Sequence, residues 1–358
     1  MKKSLLIILF SICTLVANAQ VFAVNGRQLS FAGTTNVQQV GALINGYYTV
    51  DTPTYTASPQ IINPAPNSVI ENKSFIGLST PAILMYECTN ITIRHCKFSK
   101  SIQQSISAEN AKGLIIENCV FDSVGNGISV GNNISNPFNG GVSSGVTIQH
   151  NYFKNIIGGF PGSHAIMYGT NGGGNKINYN TFESIPHQSH CDDLVNINSS
   201  HSPSTDSLQI IGNWFRGGDW STINQTGGAI TFGDGGGSYD HIKNNIMINI
   251  VGIGNAGATN CVVENNTIYQ SQAKAGADCC AFVLYNFSSG GTEATCHDNS
   301  YLYNKAWTIS KSGVDQSFLC LQAISGNCQV AMGLSTNVED TSLTETIIPT
   351  QLSNIYHY

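Results

Sequence analysis

A seven-residue mark recurs along the middle of the chain, and it constrains the fold more than any other feature. Aligned, it reads TIRHCKF (92–98), IIENCVF (115–121), TIQHNYF (147–153), KINYNTF (176–182), QIIGNWF (209–215), HIKNNIM (241–247), VVENNTI (262–268) and the one-residue-longer ATCHDNSY (294–301). One position holds Cys96, Cys119, Asn151, Asn180, Asn213, Asn245, Asn266 and Asn299. Three residues earlier stands Ile93, Ile116, Ile148, Ile177, Ile210, Ile242, Val263 or Cys296; two residues later stands Phe98, Phe121, Phe153, Phe182, Phe215, Met247, Ile268 or Tyr301. Successive marks lie 21 to 33 residues apart.

Period-2 alternation before the mark predicts a strand with one buried face. Asparagine there suits a tight bend, because it tolerates the left-handed region, and stacked asparagines can bond one another. A second strand recurs between marks as GISVGN (127–132), HAIMYG (164–169), LVNINS (194–199) and AITFGD (229–234). No stretch from 70 to 305 carries helical periodicity. A single coil of this kind cannot bury its apolar face, so coils must stack into one continuous core. A β-sandwich also spaces strands at short intervals, but it does not repeat an Asn-x-Phe mark.

This pattern resembles the right-handed parallel β-helix of the pectate-lyase-like superfamily over residues 70 to 305. The expected fold is therefore all-β, a single-stranded right-handed parallel β-helix of about eight to ten coils. Residues 20–69 are expected to form an N-terminal cap, with a short amphipathic helix at 34–44, and 306–358 the C-terminal coils and cap. Residues 1–19 read as a signal peptide: Lys2 and Lys3, the apolar run Leu5 to Val16, and Ala17-Asn18-Ala19 before Gln20. The apolar run is too short to span a bilayer comfortably. The expectation is a secreted or periplasmic protein cleaved after Ala19, monomeric by default, with no membrane span.

Composition narrows the partners. Only 10% of residues are charged, against roughly 25% in ordinary globular chains. The net charge of −6 leaves no basic field for nucleic acid. Hydrophobic content of 41% supports a packed core despite 37 glycines. Of the ten cysteines after Ala19, Cys320 and Cys328 are spaced to close a short loop and Cys279-Cys280 are vicinal; no pair has zinc-site spacing.

Function concentrates in SHCDDLVNINSSH (189–201), which gathers two histidines, two aspartates and two asparagines. Aligning the second strands turns Ile128/Val130, Ile166/Tyr168, Val195/Ile197 and Ile230/Phe232 inward. Ser129, Met167, Asn196 and Thr231 then form one outward column, and Gly131, Gly169, Asn198 and Gly233 the next. His164 and Asp193 fall in register, and with coils ~4.8 Å apart they can touch. Asp234 aligns with Ser199 and Thr170. Long entry loops (183–193 and 216–228) and glycine triplets at 172–174 and 235–237 frame a groove.

In the resembled superfamily this strand and its loop carry substrate and calcium ligands, and polygalacturonases place paired aspartates at its entry, as Asp192-Asp193 stand here. Three departures limit that carry-over: His164 replaces an aspartate one coil earlier, Gly228 replaces a histidine one coil later, and the basic Arg-x-Lys motif is not evident. The leading expectation is a polysaccharide lyase acting on a uronate-containing glycan by β-elimination. His164, His190 or Arg216 would be the base, and calcium on Asp192, Asp193 and Asn196 (with Asn198) would stabilise the enolate-like charge. The alternative is a hydrolase using Asp193 with Asp234, beside Asp192, and a third reading is a glycan binder without chemistry. Expected substrate contacts are Asn196, Asn198, His187, His201, Trp220 and Lys243.

Overall fold

The computed structural model describes residues 54–131, 142–158, 162–185, 188–217, 228–271, 281–285, 296–309, 319–321 and 328–347. Segments 1–19 and 34–44, His187, Trp220 and Cys279-Cys280 lie outside these residues. The described chain is almost all strand, with two short 3-10 turns, Leu334–Thr336 and Glu345–Ile347. No described helix is long and apolar enough to cross a membrane.

Each coil contributes three short strands to three parallel sheets. Sheet I precedes the asparagine bend, sheet II follows it, and sheet III carries the second strands. Every neighbour is the equivalent strand of the adjacent coil, so identical positions stack. Along sheet I, Ile116, Ile148, Ile177, Ile210, Ile242, Val263 and Tyr301 stand in register and all are buried. Along sheet II, Phe75, Phe98, Phe121, Phe153, Phe182 and Phe215 stack face to face, centroids 4.5–5.0 Å apart and planes within 9°. The solenoid therefore has one apolar lumen, filled coil by coil.

The asparagines form the expected ladder. Asn151, Asn180, Asn213, Asn245, Asn266 and Asn304 each donate a side-chain N–H to the next rung's Oδ1 at 2.9–3.1 Å, ending on Asn337. The same Oδ1 accepts the backbone N–H of the preceding rung, and the other amide proton binds a strand carbonyl, as Asn213 Nδ2 does to Ile177 O at 2.8 Å. Buried bend groups are thus paired without water. Two details differ from expectation. The left-handed residue of each bend is the one before the ladder asparagine, for example His150, Tyr179, Gly212 and Asn244. The eighth mark is also displaced: Tyr301 pairs with Val263 and Asn304 takes the rung, with Ala306 in the core column opposite Ile268. The tyrosine that resembles a post-bend aromatic is the inward residue of the strand before the bend.

Parallel pairing extends beyond 70–305 at both ends, from Thr56–Ala57 on Lys73–Ser74 to Val338–Glu339 on Lys305–Ala306. Cys328 is bonded to Cys296, not to Cys320 as its spacing suggests. The bond joins neighbouring coils, where Gln329 N–H reaches Cys296 O at 2.8 Å, and stacking rather than proximity in sequence made the match. The 3-10 turn Glu345–Ile347 folds back over sheet II, held by Asn249 Nδ2 on Glu345 Oε1 at 3.0 Å.

Candidate functional site

The polar cluster lies on the outer face of sheet III, across the strands Ile166–Tyr168, Val195–His201 and Gly228–Ser238. Inward and outward columns follow the sequence register: Ile166, Val195 and Ile230 pair inward, and Met167, Asn196 and Thr231 pair outward. Past Ile197 the register breaks. Asn198 pairs with Asp234, so Gly233, at φ +75°, is extruded as a bulge. This corrects the alignment of Gly233 with Asn198 and of Asp234 with Ser199. Its physical cause is the glycine, which adopts the left-handed geometry without a Cβ penalty.

The bulge brings two carboxylates onto one amide. Asn196 Nδ2 lies 2.9 Å from Asp193 Oδ2 and 3.4 Å from Asp234 Oδ2; these two distances cap the Oδ2–Oδ2 separation at about 6.3 Å, below the ~6.5–9.5 Å spacing of inverting glycosidases. Asn198 Nδ2 reaches the same Asp234 oxygen at 3.4 Å. The amide orientation is forced, because Oδ1 in that place would face two carboxylate oxygens. Asn196 is only 3% exposed, and its Oδ1 has no hydrogen-bond partner among the described residues. A buried acceptor left open inside a polar cluster calls for a further donor beyond the described residues.

Asp193 is 6% exposed and firmly bracketed. Its Oδ1 accepts the Gly228 N–H and the Thr231 hydroxyl, both at 2.7 Å. Asp234 is half-buried, and only the two long amide contacts are described for it. Thr231 was legible as an outward residue but not as a partner of Asp193. Tyr285 was missed altogether: its hydroxyl and Thr231 Oγ1 lie 3.6 and 3.7 Å from the point a Gly254 Cβ would occupy. It arrives from a later coil, and no local sequence signal points to it.

The remaining expected residues disperse. His164 does touch Asp193, but through its backbone: Nδ1 lies 3.1 Å from the carbonyl and 3.3 Å from the amide nitrogen, while the carboxylate turns to the next coil. The two side chains do not meet, and the 4% exposed His164 ring is occupied in this bridge. Asp192 is half-buried, and its Oδ2 accepts the Gly162 N–H at 3.1 Å. Burial, then the charge of Asp193, push its carboxyl above the usual range, against the Gly162 hydrogen bond and His164. His190 is exposed on the entry loop, and His201 is exposed at the far strand end beside Ser238.

Arg216 and Lys243 are not at this site. Arg216 sits on sheet II, opposite Glu183, where burial lowers its pKa and the charges of Glu183 and Glu345 oppose that shift. Lys243 is on sheet I, 2.7 Å from Glu264. The expected calcium ligands Asp192, Asp193 and Asn196 each have hydrogen-bond partners within the chain. Asp192 accepts from Gly162 and Asp193 from Gly228 and Thr231, while Asn196 turns its nitrogen to Asp193 and leaves Oδ1 open. Among the described residues no three His, Cys, Asp or Glu side chains are grouped to hold a metal ion.

A family model for the right-handed β-helix region matches residues 61–215. The chain is a right-handed parallel β-helix. That description names no narrower enzyme family. Two solved structures of DFA-IIIase from Arthrobacter chlorophenolicus A6 are similar to this β-helix. The complex with GF2 is 12% identical, covering 80% of this chain and 70% of that one, with a TM-score of 0.42. The complex with DFA-III is 11% identical over 80% and 71%, with a TM-score of 0.41. Similarity at that level carries no argument about chemistry. No curated protein matches the chain in sequence.

Proposed function

We propose that this β-helix hydrolyses a glycosidic bond, with Asp193 and Asp234 as its carboxyl pair. The observation that carries the reading is the single Asn196 amide shared by the two acids, 2.9 Å from Asp193 Oδ2 and 3.4 Å from Asp234 Oδ2, which keeps them close enough to act on one bond from both carboxyls. Asp193, fixed by three donors, is the nucleophile: Oδ2 bonds to the anomeric carbon as the bond to the leaving oxygen breaks. The more loosely held Asp234 gives its proton to that oxygen. It then takes a proton from water, whose oxygen displaces Asp193 and regenerates both groups. The anomeric configuration is retained.

The β-elimination reading ranks second, because it needs positive charge beside the substrate carboxylate. Of the cations named for this face, Arg216 stands on sheet II in register with Glu183, and Lys243 pairs with Glu264 on sheet I. Secretion remains part of the proposal, resting on the leader-like first 19 residues.

The test is a polysaccharide panel followed by reducing-end release, ultraviolet absorbance of unsaturated product, and proton NMR of the new anomer. Hydrolysis with retention, lost in both Asp193→Asn and Asp234→Asn, is expected. Unsaturated product would establish a lyase, and binding without turnover a glycan-binding protein.

A further inference from the structure

We infer that the Asp193–Asp234 cleft selects an uncharged, hydroxyl-rich sugar and rejects uronates at the cleavage point. The inference rests on the reading of this site as glycosidic.

Two independent features support it. The first is hydrogen-bond polarity. The buried acceptor Asn196 Oδ1 lacks a partner among the described residues, and the nucleophile Asp193 beside it accepts from Asn196, Gly228 and Thr231. Asn198 Oδ1 already accepts from Ser199. Such a lining demands donors. Sugar hydroxyls both donate and accept, whereas an ionised uronate carboxylate only accepts and would set oxygen against oxygen.

The second is charge. Asp192 and Asp193 stand side by side where the chain enters this face, and Asp192 already responds to the charge of Asp193. The whole chain carries only 15 Lys+Arg against 21 Asp+Glu. A polyuronate entering this face meets like charge, and like-charge juxtaposition in a binding site costs several kcal/mol.

The test uses matched tetramers of galactose, glucose and mannose, each with its uronate and its methyl-esterified uronate. The full chain, its Asp192→Asn variant and its Asp193→Asn variant are assayed at low and high salt. A neutral tetramer is expected to exceed its uronate in kcat/KM by at least about 100-fold at low salt. Methyl esterification, which removes the charge and keeps the bulk, should restore most of the difference. Added salt and Asp192→Asn should each narrow it several-fold.

Uronate turnover equal to or above neutral turnover, and abolished in Asp193→Asn, would overturn the preference while leaving the hydrolytic site intact. Turnover of any tetramer that survives in Asp193→Asn would instead overturn the site itself. Calorimetric affinity of the full chain for the same sets should follow the same order independently of catalysis. Tighter binding of uronates, or no binding of any neutral set, would overturn the inference.

Discussion

Asn198 stands opposite Asp234, and the residue between Phe232 and Asp234, Gly233, takes no place in the pairing. That one-residue slip swings Asp234 toward Asn196 and assembles the carboxyl pair. A Cβ on Gly233 would lie 2.4 Å from Ala258 N and 2.6 Å from Ala258 Cβ, at a φ of +75°.

Gly233→Ala should therefore disturb the bulge. The expected outcome is a loss of about 2–4 kcal/mol in stability by denaturant titration, from left-handed strain and overpacking together. Below the melting transition, glycan cleavage should fall by on the order of 100-fold, because a displaced catalytic group loses alignment. Unchanged turnover would mean that Asp234 does not need this position.

The ladder supports a second prediction. Asn213 accepts from Asn180 and donates to Ile177 O and to Asn245, all out of contact with water. Asn213→Ala should cost on the order of 3–5 kcal/mol, since each orphaned buried group costs about 1–3 kcal/mol. At the ladder's end, Asn337 is only partly buried, and Asn337→Ala should cost about 1 kcal/mol. Equal losses at the two rungs would show that burial does not set the effect.

Stability should also depend on pH through the lumen. Asp240 faces inward, in register with Leu208, and both its carboxylate oxygens lack partners among the described residues. Burial raises its pKa well above the usual carboxylate value, so the folded chain keeps this proton after the unfolded chain has released it. The unfolded state then binds fewer protons, and stability falls as pH rises. The slope approaches ~1.4 kcal/mol per pH unit from about pH 4 up to the folded pKa. Asp240→Asn should flatten this dependence in urea titrations across pH; an unchanged slope would remove Asp240 as its source.

Arg216 offers a contrast with the site residues. It lies near Glu183, which itself accepts from Tyr152 at 2.5 Å, and near Glu345 of the returning C-terminal turn. Arg216→Ala should leave turnover within about twofold and lower stability by about 1–3 kcal/mol. Limited proteolysis around residues 340–347 should quicken. A collapse of activity at unchanged stability would return Arg216 to the catalytic face.

Much of this was legible beforehand because a solenoid converts sequence spacing into spatial neighbourhood. The inward column of sheet I, the phenylalanine stack and the outward pair Asn196–Thr231 follow from period and register alone. Even Asp240 could have been placed, since it stands two residues before inward Ile242 and shares its face. His164 and Asp193 were brought together correctly, but register positions backbones, and the contact proved to run from ring to backbone. Arg216 was misplaced because a long loop was treated as one surface, although its first residue still belongs to sheet II.

The sequence by itself determined the repeat, the parallel stacking and the face on which the acids gather, because those depend on local alternation copied from coil to coil. Only the tertiary structure decided which acids meet. The Gly233 bulge, the grip of Thr231 and Gly228 on Asp193 and the Cys296–Cys328 bond each arise between coils, where one residue's conformation is settled by what lies above or below it.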